Sequence, residues 1–142
     1  MQIAIINGPN LNLLGVRETA IYGSDSFDAY FKKIQQLFPK VQFTYFQSNV
    51  EGELINSLQQ QGFTANGIVL NPGGYTHTSV ALGDAITAIT APVVEVHISN
   101  IFAREEFRKI SHVSAKCAGV LSGLGLIGYK LAIEFLIEKA AT

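Results

Sequence analysis

A chain of 142 residues, 48% hydrophobic and with 13 glycines, has the profile of one globular domain able to bury a core without disulfides or metal. Its formal net charge of −1 excludes the basic footprint of a nucleic-acid binder and a polybasic membrane surface. Cys117 is the single cysteine, so no intramolecular disulfide can form; there is no zinc-type spacing, signal peptide or apolar run near the ~20 residues of a membrane span, and a cytoplasmic protein is expected.

Ile3 to Ile6 reads as a buried strand, and NGPNLNLLGVRETAIYG follows it from Asn7 to Gly23. That segment mixes turn residues with leucines, Arg17 and Tyr22, an odd composition for a plain connection. Phe27 to Phe38 has helical spacing, with Phe27, Tyr30, Phe31, Ile34 and Phe38 on one side and Ser26 as N-cap. Val41 to Phe46 reads as the second strand, and Glu51 to Gln61 as a helix closed by Gly62. Gly67 to Leu70 is the third strand, Ser79 to Ile89 the third helix and Val93 to Ile98 the fourth strand. Gly119 to Leu121 makes a short fifth strand before a final helix to about Lys139. Apolar strands alternating with helices predict an α/β, flavodoxin-like three-layer sandwich. Its five-stranded parallel sheet is expected in the order 2-1-3-4-5, with helices on both faces. The whole of 1–142 is expected to be one catalytic domain.

In such sheets ligands bind beyond the carboxyl ends of the strands. The first four strands here run into NGPNLN, QSNVEG, NPGGYTHTS and EVHISN followed by AREEFR, and all four segments are expected at one edge. The chain has seven lysines but only three arginines, Arg17, Arg104 and Arg108, each in irregular polar sequence. A guanidinium is a planar, permanent donor fork suited to carboxylates and oxyanions.

A period of two along strand four places Glu95, His97 and Ser99 on one face, and Val94, Val96 and Ile98 on the other. Glu95 is thereby placed to bond one imidazole nitrogen and leave the other for a cleft, as an acid or base requires. His77 follows a Gly-Gly turn, where it either touches a ligand or caps the next helix; His112 reads as surface. A free phenol, with pKa ~10, is ionised in about one molecule per thousand at neutral pH. A neighbouring guanidinium favours the phenolate, so Arg17 beside Tyr22 would make a usable base; on these two residues alone, a surface Tyr with Arg stacked against it is the simpler reading. No G-x-S-x-G elbow, Walker loop or post-strand G-x-G-x-x-G is present, which disfavours a serine nucleophile or a phosphate-bearing cofactor.

NGPNLNLLGVRETAIYG, QSNVEGELI, NPGGYTHTSVALGDA and PVVEVHISNIFAREEFR resemble, in order, the signatures of type II 3-dehydroquinate dehydratase, and GLGLIGYKLA fits that family's last helix. The resemblance implies dehydration of 3-dehydroquinate to 3-dehydroshikimate through an enolate, without metal or organic cofactor, in a homododecamer built as a tetramer of trimers. Carried over by position, it makes Tyr22 the base that removes a C2 proton and Arg17 the cation that keeps it ionised. Asn10 would hold a water against the enolate oxygen, and His97, oriented by Glu95, would protonate the departing C1 hydroxyl. Asn71, Ile98 and Ser99 would hold the substrate carboxylate and neighbouring oxygens, and His77 and Arg108 the ring hydroxyls. Asp84 would reach in from a neighbouring subunit. Residues from about 10 to 23 would form a lid. Two positions depart from the family pattern: Gly83 stands where Arg is usual, and Thr19 where Pro is common. Looser subunit contacts and a less rigid lid are the expected consequences.

Overall fold

The structure, a computed structural model, describes residues 1–16, 19–22 and 24–142, with the side chains of residues 21 and 22 outside the description. The elements in chain order are β1 (Gln2–Asn7), α1 (Thr19–Tyr22), α2 (Phe27–Leu37), β2 (Gln42–Gln47), α3 (Glu51–Gln61), β3 (Gly67–Asn71), α4 (Val80–Ala88), β4 (Val93–His97), β5 (Gly119–Ser122) and α5 (Ile127–Ala141). Short 3-10 turns at Leu11–Leu13, Gly73–His77, Ile101–Ala103, Glu106–Lys109 and Ser114–Lys116 carry the chain over the site and were not expected from sequence. Polar and glycine-rich stretches show no period from which such turns can be read.

The strands form one parallel sheet in the order β2-β1-β3-β4-β5, as expected. Alternation along each strand sorts the core into two layers. Ile3, Ile5, Val69, Val94 and Val96 point to one face, where α2 and α5 cover them with Phe27, Ile34, Tyr129, Ile133 and Leu136. Ala4, Ile6, Ile68, Leu70 and Val93 point to the other, against Leu54 and Leu58 of α3 and Leu82 and Ile86 of α4. The central strands are buried on both faces, which is why β1 and β3 carry unbroken apolar runs, while β4 buries Glu95 and His97 among its valines. Burying each such Ile or Leu side chain contributes about 1.5–3 kcal/mol.

The helix ends follow local chemistry. Ser26 caps α2 by accepting the Ala29 N–H at 3.2 Å, and Asp28 places a negative charge in the first turn. Ser79 caps α4 in the same way, from Leu82 N–H at 3.0 Å. Gly62 does close α3, but with right-handed dihedrals (φ −66°, ψ −16°) and not the left-handed turn that the sequence suggests. Its glycine serves close approach: a Cβ there would lie 2.4 Å from the Ile89 side chain.

Strand register delivers the site. Asn7 at the end of β1 lies opposite Gln47 of β2 and Asn71 of β3, and His97 ends β4 opposite Ser122 of β5. Asn7, Asn71 and His97 therefore reach the same edge of the sheet.

Candidate active site

A cavity of about 150 Å³ opens beyond the carboxyl ends of β1, β3 and β4. Pro9, Asn10, Leu11 and Leu14 line it from the β1 side; Asn71, Gly73, Gly74 and His77 from the β3 side; His97, Ile98, Ser99, Ile101, Arg104 and Arg108 from the β4 side. Of the residues expected at a site, Asn10, Asn71, His77, His97, Ile98, Ser99 and Arg108 come together here. Glu95 sits behind them, bonded to His97.

The segment after β2 reaches the edge where it was expected and takes a supporting place there. It braces the cavity wall from behind and is not among the residues that line it. Asn49 Oδ1 accepts the backbone N–H of Asn10 at 3.0 Å, and Gln47 Nε2 donates to the Gly8 carbonyl at 3.1 Å. Tyr75 donates its hydroxyl to the Asn49 carbonyl at 2.7 Å. The cause is topological: β2 is the edge strand beside β1, one strand removed from the β1–β3 crevice. Asn10 itself takes the left-handed conformation (φ 69°), which an Asn tolerates better than most side chains.

Asp84 is exposed on α4 and is not among the residues lining the cavity. Arg17 lies outside the described residues, as does the Tyr22 side chain; the Tyr22 backbone ends α1.

The pair at the cavity floor is built as the strand alternation implies. Glu95 is fully buried, and its Oε1 accepts from His97 Nε2 at 2.6 Å, which leaves Nδ1 as the ring's other polar atom. Burial alone would raise the Glu95 pKa. Hydrogen bonding and charge from His97, with hydroxyl donors from Ser114 and Thr76, outweigh it and hold the carboxyl below its ordinary value. Thr76 Oγ1 donates to Oε1 at 2.6 Å and Ser114 Oγ to Oε2 at 2.5 Å.

Asn71 is fixed from both ends. Its Oδ1 accepts the Gly73 N–H at 3.1 Å, and its Nδ2 donates to the hydroxyl of Tyr129 at 2.9 Å. Tyr129 is fully buried in α5 and passes its own proton to Asn7 Oδ1 at 2.8 Å; burial raises its pKa, so it stays a neutral donor.

His77 lines the cavity and does not cap α4. Its Nδ1 lies 2.7 Å from the Ile110 carbonyl, an acceptor, so Nδ1 carries the proton and Nε2 is the ring's other polar atom, while the helix cap falls to Ser79. Arg104 Nη1 donates to Ser99 Oγ at 3.2 Å. Arg108 lies over the Phe107 ring at 4.9 Å and pairs with Glu105, whose carboxyl that hydrogen bond holds low. Cys117 is pushed up to about 12 by burial and by the charge of Glu95, an inert thiol. Among the described residues, no group of three or more His, Cys, Asp and Glu is placed to hold a metal.

Sequence reasoning missed Thr76, Ser111, Ser114, Tyr129 and the contact of Arg104 with Ser99. One signal was available: a buried carboxylate on a strand must find donors, and hydroxyls near the converging segments were the ones on offer.

Comparison with known proteins points one way. The family profile described as dehydroquinase class II matches residues 1–137. A 3-dehydroquinate dehydratase of Fusobacterium nucleatum is 53% identical over 97% of this chain and 97% of its own length. One from an Exiguobacterium species is 52% identical over 97% of this chain and 95% of that one. The crystal structure of a type II dehydroquinase from Butyrivibrio crossotus superposes with a TM-score of 0.93 at 43% identity, covering 96% of this chain and 97% of that one. That of the type II dehydroquinase from Propionibacterium acnes gives 0.89 at 38% identity, covering 99% and 97%.

Proposed function

Because the chain belongs to the class II dehydroquinase family, it is a hydro-lyase that takes water from 3-dehydroquinate, and we propose that it does so through an enolate at the cavity beyond β1, β3 and β4. In this reading Tyr22, ionised beside Arg17, takes a proton from C2, α to the ketone. Such a proton is too weakly acidic for a phenolate unless the developing oxyanion meets positioned donors. Asn10, lining the cavity at the root of the loop, holds a water for that oxygen. The enolate then expels the C1 hydroxyl as His97 protonates it, so that water leaves and a C1–C2 double bond forms in 3-dehydroshikimate. The step belongs to the shikimate pathway.

One observation carries the reading: His97 faces the cavity while its Nε2 is bonded at 2.6 Å to a buried Glu95, the geometry of an oriented general acid. Asn71, Ile98 and Ser99 hold the substrate carboxylate and adjacent oxygens, and His77 and Arg108 the ring hydroxyls. Positioned donors take the enolate charge, so the route requires neither metal nor organic cofactor.

Residues 1–142 act as one catalytic domain with residues from about 10 to 23 as its lid; closing the lid excludes water and completes the set of reacting groups. The working form is a homododecamer, a tetramer of trimers, in which Asp84, exposed on α4, serves a neighbour's site. The place of work is the cytoplasm.

Tyr22→Phe tests the reading. It keeps the ring and removes the base, so turnover, followed by the enone absorbance of the product, should fall by at least ~10²-fold while substrate still binds. A near wild-type rate would remove Tyr22 from the role.

A further inference from the structure

The hydroxyl groups behind the Glu95–His97 pair are arranged too completely to be incidental. Three donors converge on the Glu95 carboxylate: His97 Nε2 and Thr76 Oγ1 on Oε1, and Ser114 Oγ on Oε2. Each hydroxyl has one proton to give. Thr76 gives its proton to Glu95, so in the 2.6 Å contact between Thr76 Oγ1 and Ser111 Oγ it is Ser111 that donates. Ser111 Oγ in turn accepts the backbone N–H groups of Val113 and Ser114, at 3.0 and 2.9 Å. Ser114 Oγ also lies 2.9 Å from Ser111 Oγ, but its one proton goes to the nearer Glu95 oxygen at 2.5 Å, so the Thr76 and Ser114 protons both point to a carboxylate that can only accept. The strap bearing both serines is itself tied down. The His112 N–H donates to the Thr76 carbonyl at 2.8 Å, and the Ile110 carbonyl accepts from His77 Nδ1.

We infer that Thr76 and Ser114, backed by Ser111, are positioning residues for the dehydration: they hold Glu95 as a three-donor carboxylate, which keeps a proton on Nε2 of His97 and frees Nδ1 for the substrate. The inference rests on the reading of His97 as the acid. The pair shares one mobile proton when His97 is imidazolium. Taking a hydroxyl away from Glu95 makes the carboxylate a better proton acceptor, so that proton drifts from the ring to the carboxyl and the acid-competent fraction falls. Among the described residues, the charged and titratable groups around the pair include Cys117 before β5 and, across the cavity, His77, Arg104 and Arg108. Burial keeps the Cys117 thiol neutral.

Ser114→Ala and Thr76→Val remove one donor each, and Thr76→Ser retains it. Both truncations should lower kcat about tenfold, a fraction of what losing an acid costs, with KM within about twofold. The acidic limb of the kcat profile should move to higher pH, because a carboxylate short of a donor protonates sooner. In the free enzyme, 15N spectra of the ring nitrogens, resolved for His97 and His77 separately, should show His97 Nε2 losing proton occupancy. Thr76→Ser should restore rate, limb and spectrum. Unmoved ring signals in both truncations overturn the inference, as does an equal rate loss in Thr76→Ser, which would mark a packing role. Ring signals that move with no change in kcat overturn His97 as the acid, and this positioning role with it. If a truncation fails to fold, Ser111→Ala carries the test, with a smaller shift in the same direction expected and an unmoved limb overturning the inference.

Discussion

Tyr129→Phe changes one oxygen atom, fully buried and far in sequence from any proposed chemistry, and it should cost both stability and substrate affinity. The hydroxyl accepts from Asn71 Nδ2 and donates to Asn7 Oδ1. Both partners are buried, at 3% and 0% exposure, so water cannot replace what is lost. A buried polar group left unpaired costs about 1–3 kcal/mol, and two are created. Allowing for partial relaxation, the loss is about 2–4 kcal/mol, a large share of the roughly 5–15 kcal/mol by which a domain is stable.

For a chain of this length that corresponds to a Tm lower by roughly 5–15 °C. Protein concentration must be held constant in the comparison, because any assembly adds to apparent stability. The kinetic consequence is separate. Asn71 would keep the Gly73 N–H on its Oδ1 but lose the restraint on its Nδ2, and a binding group freed at one end should raise KM about three- to tenfold, with kcat changed less. Urea unfolding and initial-rate measurements on the same preparations check both. A denaturation midpoint and KM equal to those of the parent would refute the claim that this hydroxyl organises the edge of the sheet.

Further outcomes follow from the charged groups. Arg17→Gln should lower kcat and move the acidic limb of the pH–rate profile upward, since the phenolate loses its cation; Arg17→Lys should recover only part, a point charge replacing a fork. An unmoved limb in Arg17→Gln would assign the stabilisation of Tyr22 to another group. Glu95 has a lowered pKa in the fold, so its contribution is present above the unfolded glutamate value of about 4.3 and is lost as pH falls through the folded value. Stability measured against pH should therefore fall in acid more steeply for the parent than for Glu95→Gln, and equal slopes would show that the carboxyl is not held low.

Much of the fold was legible because it rests on period and alternation. Val94, Val96 and Ile98 against Glu95, His97 and Ser99 assign two faces of β4 without any structural information, and apolar strands separated by helices imply a parallel sheet, for which 2-1-3-4-5 is the economical order. The same alternation brought Glu95 to His97. What stayed hidden depends on contacts between segments with no shared period. Ser111 and Ser114 lie in a stretch with no pattern, and nothing in GYKLA announces that Tyr129 will meet Asn7, 122 residues earlier. The edge position of β2 is a property of the whole sheet, so QSNVEG could be brought to the right end of the molecule but not assigned to bracing over lining. Gly62 shows a subtler limit: glycine after a helix suggests a left-handed turn, yet this one answers to the side chain of Ile89, an element away.

Gly83 has a second part to play besides the looser subunit contact expected of it. From sequence it stands where the family usually has Arg, and a looser subunit contact is expected. In the fold it is a seat, because a Cβ at position 83 would lie 2.4 Å from the His112 carbonyl oxygen. Ordinary carbon–oxygen contacts begin near ~3.3 Å, so Gly83→Ala must drive α4 and the strap apart by about 1 Å. The obstacle is backbone, which cannot swing aside as a flexible side chain would. A helical Ala gains about 1 kcal/mol over Gly, while overpacking costs about 1–3, so net stability should be unchanged or lower by up to about 2 kcal/mol. The larger effect is at the site. Ser114 lies two residues beyond His112 and donates to Glu95 at 2.5 Å; a displacement of about 1 Å would carry that contact to the limit of a hydrogen bond. Gly83→Ala should therefore lower kcat and raise the acidic limb in the manner of Ser114→Ala, although position 83 touches neither substrate nor Glu95. Parental kcat, pH profile and unfolding midpoint in Gly83→Ala would show that the strap yields without disturbing the carboxylate, and that the glycine has no part in holding it.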